Sequence, residues 1–215
     1  MSDDDDVRSP IDLRDPVQAR AWVADTIARR PARPHFFDAF AAALAQLGSA
    51  EPLAVLELGS GPGHLARELL RARAIRRYVA LDFSAAMHDL AREHLGELAA
   101  RVELVLRDFR AADWTEQLGR FDAILTMQAA HETRHRRHLA PLLARARSLL
   151  NSNGALLYCD HYAEAGTAKN PALYADRDGQ IAALHAAGFA RVERLHDEGG
   201  MALYRAYATV PIDEQ

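Results

Sequence analysis

The sequence has few cysteines, no long apolar run and no excess of basic residues, and each of these shortages excludes a class of protein. Cys159 is the only cysteine among 215 residues, so no disulfide can form within the chain, and we expect a reducing, cytoplasmic location. No apolar run approaches the roughly 18 residues of a membrane-spanning helix, and the acidic start is unlike a signal peptide. The net charge of −4 shows no basic excess, so we expect neither a nucleic-acid partner nor a membrane.

The pattern of apolar residues predicts one α/β domain. Hydrophobic residues make up 49% of the chain, which is enough for a core without disulfide or metal support. The predicted strands are LAVLELG, YVALDFS, RVELVLRDF, FDAILTMQ and GALLYCDH, followed by a hairpin of RVERLH and MALYRAYAT. Stretches with helical spacing lie between these strands. This alternation predicts a mostly parallel sheet with helices on both faces.

The N-terminal part is predicted to differ from the rest of the chain. Residues 1–15 begin with an acidic run, and we expect them to be disordered. Residues 16–48 contain two helical stretches, which PARPH separates and Gly48 ends. The α/β domain is expected to cover residues 49–212.

The strongest functional signal is VLELGSGPGHLA, which has three glycines between the first strand and a helix. Gly59, Gly61 and Gly63 allow a tight turn and the close approach of a ligand to the backbone. The dehydrogenase fingerprint would need glycine where His64 stands, and the loop lacks the lysine of a nucleotide triphosphate site. An NAD(P)-dependent oxidoreductase is therefore an alternative that His64 disfavours.

This loop and the strand ends that follow it resemble the class I AdoMet-dependent methyltransferases of the small-molecule type. The motif E-x-G-x-G-x-G is similar to the family's AdoMet-binding loop, and the resemblance extends over residues 50–208. It implies a Rossmann-like seven-stranded sheet with a C-terminal antiparallel hairpin and an N-terminal helical lid. It also implies S-adenosyl-L-methionine as cofactor and S-adenosylhomocysteine (AdoHcy) as product. The cofactor-binding residues that it implies are Glu57, Gly59, Gly61, Gly63, Asp82, Phe83, Met87, Asp108, Phe109 and Thr126.

Within that set, the resemblance gives particular roles to two acidic residues. Asp82 matches the acidic residue that binds the ribose hydroxyls, and a carboxylate can accept from two vicinal hydroxyls. Asp108 and Phe109 match the pair that contacts the adenine edge. Asp122 begins the fourth strand instead of ending it, so we expect a structural role there.

Polar side chains after the fourth and fifth strands are predicted to face the methyl acceptor, because ligands bind beyond the carboxyl ends of the strands. His131 and His161 are candidate general bases, since imidazole titrates near neutrality. Each could instead support a loop or a neighbouring strand. The predicted substrate and lid residues are Trp22, His35, Phe36, Gln128 and Tyr162, with Tyr174 as a further candidate. The aromatic residues of the N-terminal helices could equally bury one helix face.

His131 also begins HETRH, which matches the zinc-protease pattern H-E-x-x-H. On a helix this pattern would place two imidazoles one turn apart, with Glu132 as general base. Here the motif follows a strand and precedes a helix that begins between residues 139 and 141. We therefore expect an irregular turn and no metal site, with His131 at the mouth of the pocket; a non-hydrolytic metal site that uses His131, His135 or His138 is the alternative.

The acceptor is expected to be a small molecule, because the segment between the fifth strand and the last helix is too short for a large recognition domain. The sequence does not distinguish between O-, N-, S- and C-methylation. The oligomeric state is also open, as a monomer or a homodimer. A non-catalytic protein that binds AdoMet or a nucleotide as a partner subunit is a further alternative.

Overall fold

Strands and helices alternate along the chain as the apolar pattern predicts. The computed structural model describes residues 6–47, 52–164 and 169–209; the predicted helix end at Gly48 lies outside them. The helices are α1 (Pro16–Arg29), α2 (Arg33–Ala45), α3 (His64–Ala72), α4 (Ala85–Leu95), α5 (Leu139–Ser148) and α6 (Arg177–Ala186). The strands are β1 (Leu53–Leu58), β2 (Ile75–Asp82), β3 (Val102–Leu106), β4 (Phe121–Met127), β5 (Leu150–His161), β6 (Arg191–Glu198) and β7 (Met201–Tyr207).

The strands form one seven-stranded sheet in the order β3-β2-β1-β4-β5-β7-β6. Strands β1 to β5 pair in parallel, and β7 is antiparallel to both β5 and β6. The chain runs outward from β1 to β3 and then returns to place β4 on the other side of β1. This reversal separates the loops after β1 and β4, which is where open α/β sheets bind ligands.

Two apolar clusters cover the two faces of the sheet and explain why both sides of the parallel strands are hydrophobic. On one face, α5 and α6 pack with Trp114 and Phe121 against the strands. On the other face, α2, α3 and α4 pack together, with Phe36 and Phe40 fully buried. Helix α1 packs on α4 through Ala19. The α/β architecture predicted from the sequence is confirmed.

Some predicted element bounds are wrong. The first two helices are separate, as PARPH predicts, but α2 begins within this stretch at Arg33 and accommodates Pro34 in its first turn, where proline is tolerated. The predicted helix after the second strand ends early at Leu95, and Gly96 then takes a φ of +56°. Strand β5 begins at Leu150 instead of Gly154 because its first residue pairs with β4 across a register shift.

The segment before α1 lies against the domain. The sequence predicts disorder for residues 1–15, whereas the structure gives residues 6–15 defined contacts. The backbone N–H of Val7 donates to the carbonyl of Arg134 at 2.8 Å, and the hydroxyl of Ser84 donates to the carbonyl of Leu13 at 2.5 Å. These bonds draw the segment across the carboxyl ends of the strands. Across the described ranges, no helix combines the length and apolar character needed to span a membrane.

Candidate functional site

The glycine loop lies at the carboxyl end of β1 and is tied to β2. The backbone N–H of Gly59 donates to the carbonyl of Leu81 at 2.8 Å. Gly59 has a φ of +69°, and a Cβ there would lie 2.3 Å from the Cβ of Ala129, so only glycine fits. A Cβ on Gly61 would meet nothing within 4 Å. The backbone of Gly61 therefore borders open space that a ligand can approach closely.

Asp82 ends β2 beside this loop, where the resemblance predicts a ribose-binding carboxylate. One carboxylate oxygen accepts from the N–H of Gly61 at 2.8 Å, and the other accepts from the N–H of Ser84 at 2.9 Å. Burial raises the pKa of Asp82 to about 6, against backbone hydrogen bonds that lower it. Each oxygen can accept a further hydrogen bond. The carboxylate can therefore receive two adjacent hydroxyls.

Three predicted cofactor residues lie next to the glycine loop. They do not line the cavity between the loops after β1 and β4, which is called the central cavity below. The carboxylate of Glu57 accepts from the hydroxyl of Tyr78 at 2.7 Å, and burial raises the pKa of Glu57 to about 8. A Cβ on Gly63 would lie 3.3 Å from the side chain of Leu95, so this glycine allows close helix packing. Thr126 is fully buried in β4. Their predicted roles in cofactor binding therefore stay predictions.

A groove of about 580 Å³ continues the site towards β3, between the segment before α1 and the rings of Phe83 and Phe109. The guanidinium of Arg110 donates to the carboxylate of Asp108, at 2.7 Å for the shorter bond. Burial raises the pKa of Asp108, but the hydrogen bonds from Arg110 outweigh it, and the pKa is lowered overall. The guanidinium carbon of Arg14 lies 4.6 Å from the ring centre of Phe83. Asp108 stays charged while Arg110 occupies part of its accepting capacity.

The central cavity has a volume of about 270 Å³ and lies between the loops after β1 and β4. One side is formed by Gly59, Gly61, Asp82, Phe83, Met87 and Phe109, all of them predicted cofactor residues. The other side, called the acceptor side below, is formed by Trp22, Arg30, Gln128, His131, Leu173 and Tyr174. Residues 9–11 and Leu13 close the cavity from the N-terminal segment.

His131 is held in the acceptor side by two carboxylates. Its Nδ1 donates to Oδ1 of Asp160 at 2.8 Å, and its backbone N–H donates to Oδ2 of Asp160 at 3.0 Å. The Nε2 atom lies 3.5 Å from a carboxylate oxygen of Glu132. Burial lowers the pKa of His131, but Asp160 and Glu132 outweigh it and raise the pKa to about 9. The imidazole is therefore oriented at Nδ1, and its Nε2 lies beside the carboxylate of Glu132, which also lines the cavity.

His161 is held differently, as the end of a hydrogen-bond chain. Nε of Arg33 donates to Oε1 of Gln128 at 2.9 Å, so the amide nitrogen of Gln128 faces His161 and donates to its Nε2 at 3.0 Å. Burial lowers the pKa of His161 to about 4. His161 is thus neutral, and its Nε2 is already occupied as an acceptor. Gln128 has a φ of +55°, a strained conformation that such functional positions often show.

The HETRH motif forms no helix that could align its histidines. Ala130–Thr133 is a short 3-10 helix, and Arg134 then takes a φ of +70°. His135 turns away and accepts from the N–H of Arg137 through Nδ1 at 3.0 Å. In the part of the chain that the structure describes, no group of three or more metal-ligating side chains could hold a metal ion.

The predicted lid residues separate into two groups. Trp22 and Tyr174 line the cavity, and the ring of Tyr174 lies 5.1 Å from that of His131. His35 is exposed and pairs with a glutamate of β6, whereas Phe36 is fully buried against the sheet. The hydroxyl of Tyr162 points to Asp197 at 3.0 Å. The structure does not bring His35, Phe36 or Tyr162 to the cavity, because α2 packs into the core and β5 ends beside the turn between β6 and β7.

Sequence reasoning missed three features of the acceptor side. Asp160 is not among the residues predicted for the site, although β4 and β5 pair in parallel up to Met127 and Cys159. That register puts the loop after β4 beside Asp160, which was the available signal. Arg30 and Lys169 gave no signal, because both come from connections whose course the sequence does not define. The closing N-terminal segment was also missed, because its composition favours disorder.

Comparison with known proteins supports the resemblance that the glycine loop indicates. A family model described as "Methyltransferase domain" matches residues 55–154, which run from β1 into β5. No curated protein matches the chain. An O-methyltransferase family 2 protein from Planctomyces limnophilus, solved in complex with apigenin, is 19% identical with a TM-score of 0.70, and the match covers 90% of this chain and 62% of that one.

Two further solved structures share the architecture. Magnesium protoporphyrin IX methyltransferase from Synechocystis with bound SAM is 18% identical with a TM-score of 0.64, covering 84% of this chain and 81% of that one. The CurJ carbon methyltransferase is 19% identical with a TM-score of 0.64, covering 78% of this chain but 51% of that one. The chain thus spans about half the length of CurJ, and these likenesses show a shared fold. Residues 55–154 thus match the model of a methyltransferase domain, and the chain shares the fold of these solved methyltransferases.

Proposed function

We propose that the protein transfers a methyl group from AdoMet to a hydroxyl group of a small-molecule acceptor. The observation that carries this proposal is the imidazole of His131 on the acceptor side of the cavity, fixed at Nδ1 by Asp160 at 2.8 Å. A carboxylate that orients a histidine at one nitrogen leaves the other nitrogen to take a proton from the reacting group.

The residues of the cofactor side suit AdoMet. Gly59 and Gly61 provide backbone that a ligand can approach closely, and Asp82 can accept from the ribose hydroxyls. Phe83 and Phe109 border the groove in which an adenine ring would lie. When bound, AdoMet would supply an activated methyl group on a sulfonium centre, and AdoHcy would be the product.

His131 would accept the proton that the acceptor hydroxyl loses. With its pKa raised to about 9, the imidazole is mostly protonated at neutral pH, so only a small fraction is ready to act as a base. Once deprotonated, however, it is a stronger base than an ordinary histidine. Turnover should therefore rise with pH until about pH 9. Gln128 and His161 would hold the neighbouring wall of the cavity without exchanging a proton.

The size and closure of the site support a small acceptor. A cavity of about 270 Å³ is near the lower limit of ligand pockets, which are typically about 300–1,000 Å³. Residues 9–13 and Trp22 restrict access from the outside. The apigenin complex of the family 2 O-methyltransferase shows that this fold admits a small planar ligand in that protein. We propose that the N-terminal segment and α1 together serve as the lid, and that the protein acts as a monomer or a homodimer.

The test compares His131→Ala with His135→Ala, a matched control in the same motif whose side chain caps a turn outside the cavity. Methyl transfer from radiolabelled AdoMet to a panel of small hydroxyl compounds measures turnover, and calorimetry with AdoHcy measures cofactor affinity. We expect His131→Ala to lose about 10²-fold or more in turnover with AdoHcy affinity unchanged, and His135→Ala to keep both. Loss of AdoHcy affinity in His131→Ala would contradict the assignment of His131 to the acceptor.

A further inference from the structure

Two cationic side chains lie at the acceptor side: Arg30 lines the cavity, whereas Lys169 contacts the ring of Tyr174 from a neighbouring surface pocket. The guanidinium of Arg30, at the end of α1, lines the cavity and lies 5.8 Å from the ring of Trp22. The ammonium of Lys169 lies 5.2 Å above the ring of Tyr174, which lines the same cavity. Within the described ranges, neither Arg30 nor Lys169 forms an ion pair with Asp or Glu. Cation–π contacts of this kind do not neutralise the charge of either side chain.

The two carboxylates beside His131, those of Asp160 and Glu132, already have partners. Asp160 accepts two hydrogen bonds from His131 and one from the backbone N–H of His161. Glu132 pairs with Arg134 at 3.0 Å. Positive charge therefore remains at Arg30 and Lys169, and burial together with their mutual repulsion lowers the pKa of Lys169. An anionic group between them would relieve this repulsion.

Part of the cavity close to Arg30 is apolar. The rings of Trp22 and Tyr174 and the side chains of Leu13 and Leu173 form its wall. Such a wall favours a planar, largely apolar body, because aromatic rings stack on one another with little cost in conformational freedom. A guanidinium can bind a carboxylate through two parallel hydrogen bonds, which a neutral group cannot match.

We propose that the acceptor is a small planar carboxylic acid whose carboxylate binds between Arg30 and Lys169. This inference rests on the proposed function, because it assigns the acceptor side of the same cavity. The carboxylate anchors the molecule and its planar body lies against Trp22 and Tyr174. The hydroxyl to be methylated then faces His131.

The single lysine of the chain allows a direct test. Acetylation of Lys169 by an amine-reactive ester is followed by mass spectrometry on protein saturated with AdoHcy. The probes are benzoate and 4-hydroxybenzoate, each compared with its uncharged amide. We expect both acids to slow the acetylation of Lys169 at least threefold and the amides to leave the rate unchanged. Equal rates with acids and amides would overturn the proposal.

Substitution at Arg30 extends the test. Arg30→Gln should abolish the protection of Lys169 by the acids. Arg29→Gln is the matched control, because Arg29 is 76% exposed and pairs with Asp25 on the outer face of α1. In Arg29→Gln the acids should still protect Lys169 fully. If they also protect Lys169 in Arg30→Gln, Arg30 does not belong to the site. AdoHcy binding, measured first by calorimetry, separates the two hypotheses: failure to bind AdoHcy contradicts the proposed function, whereas binding without acid-selective protection contradicts only the acidic acceptor.

Discussion

Asp160→Asn tests the electrostatics of the acceptor side most sharply. Burial lowers the pKa of His131, and the charge and hydrogen bonds of Asp160 overcome this effect and raise the pKa to about 9. Asparagine has nearly the same size but no charge, so we expect the pKa of His131 to fall to its ordinary value of 6.5 or below. Since one pKa unit corresponds to about 1.4 kcal/mol, the change is about 3 kcal/mol.

An NMR titration of the Cε1–H resonance of His131 measures this pKa without knowledge of the acceptor. The resonance is assigned by its disappearance in His131→Gln. Glu132→Gln is a useful comparison, because Glu132 lies 3.5 Å from Nε2 of His131. Removing the charge of Glu132 should lower the pKa of His131 less than removing the charge of Asp160 does. A pKa that stays within half a unit of the wild-type value in Asp160→Asn would refute the role given to Asp160.

The same pair makes the stability of the protein depend on pH. The pKa of His131 is raised on folding, so its stabilisation is fully present below pH 6.5 and is lost as pH rises through about 9. This contribution amounts to at most about 3 kcal/mol of the free energy of unfolding. Denaturant unfolding above and below this range should show the loss in the wild type and not in Asp160→Asn. The same loss in both proteins would contradict this linkage.

Two further predictions concern the cofactor side. Asp82→Asn should weaken AdoHcy binding at least tenfold. The control Asp122→Asn, at the opposite end of the sheet, should leave it unchanged. In the wild type, the affinity for AdoHcy should fall as pH drops below about 6, because binding needs the charged carboxylate of Asp82. Equal calorimetric dissociation constants in the two variants would exclude Asp82 from the ribose site. Gly59→Ala should lower the free energy of unfolding by about 2–5 kcal/mol, because a new Cβ would meet Ala129 at 2.3 Å. Gly200→Ala has a similar φ of +78° but open space, so it should cost only about 1–2 kcal/mol; equal costs in denaturant unfolding would show that the contact with Ala129 is unimportant.

The sequence predicts the fold well because its signals are local. Buried strands such as LAVLEL appear as short apolar runs, and the helices between them have a clear periodicity. The structure accordingly confirms the α/β sheet and the C-terminal hairpin. Local patterns do not determine where an element meets its neighbours. The start of β5 at Leu150 depends on pairing with β4, and residues 6–15 are placed by bonds such as that from Val7 to Arg134.

The same limit explains the predictions of the site. Asp82 ends β2 and Phe109 lies three residues after β3, so their position at the cavity follows from the parallel arrangement. The contact between His131 and Asp160 joins two strand ends that are neighbours only in space. Whether an aromatic residue faces the cavity or the core depends on helix packing, which is why Trp22 reaches the cavity and Phe36 does not.

Calorimetric titration of the wild-type protein with AdoHcy and with NAD tests the central claim most directly. The glycine loop, Asp82 and the groove beside Phe109 are proposed to form an AdoMet site, and His64 replaces the glycine that a dinucleotide loop would need. The account predicts saturable binding of one AdoHcy per chain and no measurable binding of NAD. Saturable binding of NAD without binding of AdoHcy would contradict it.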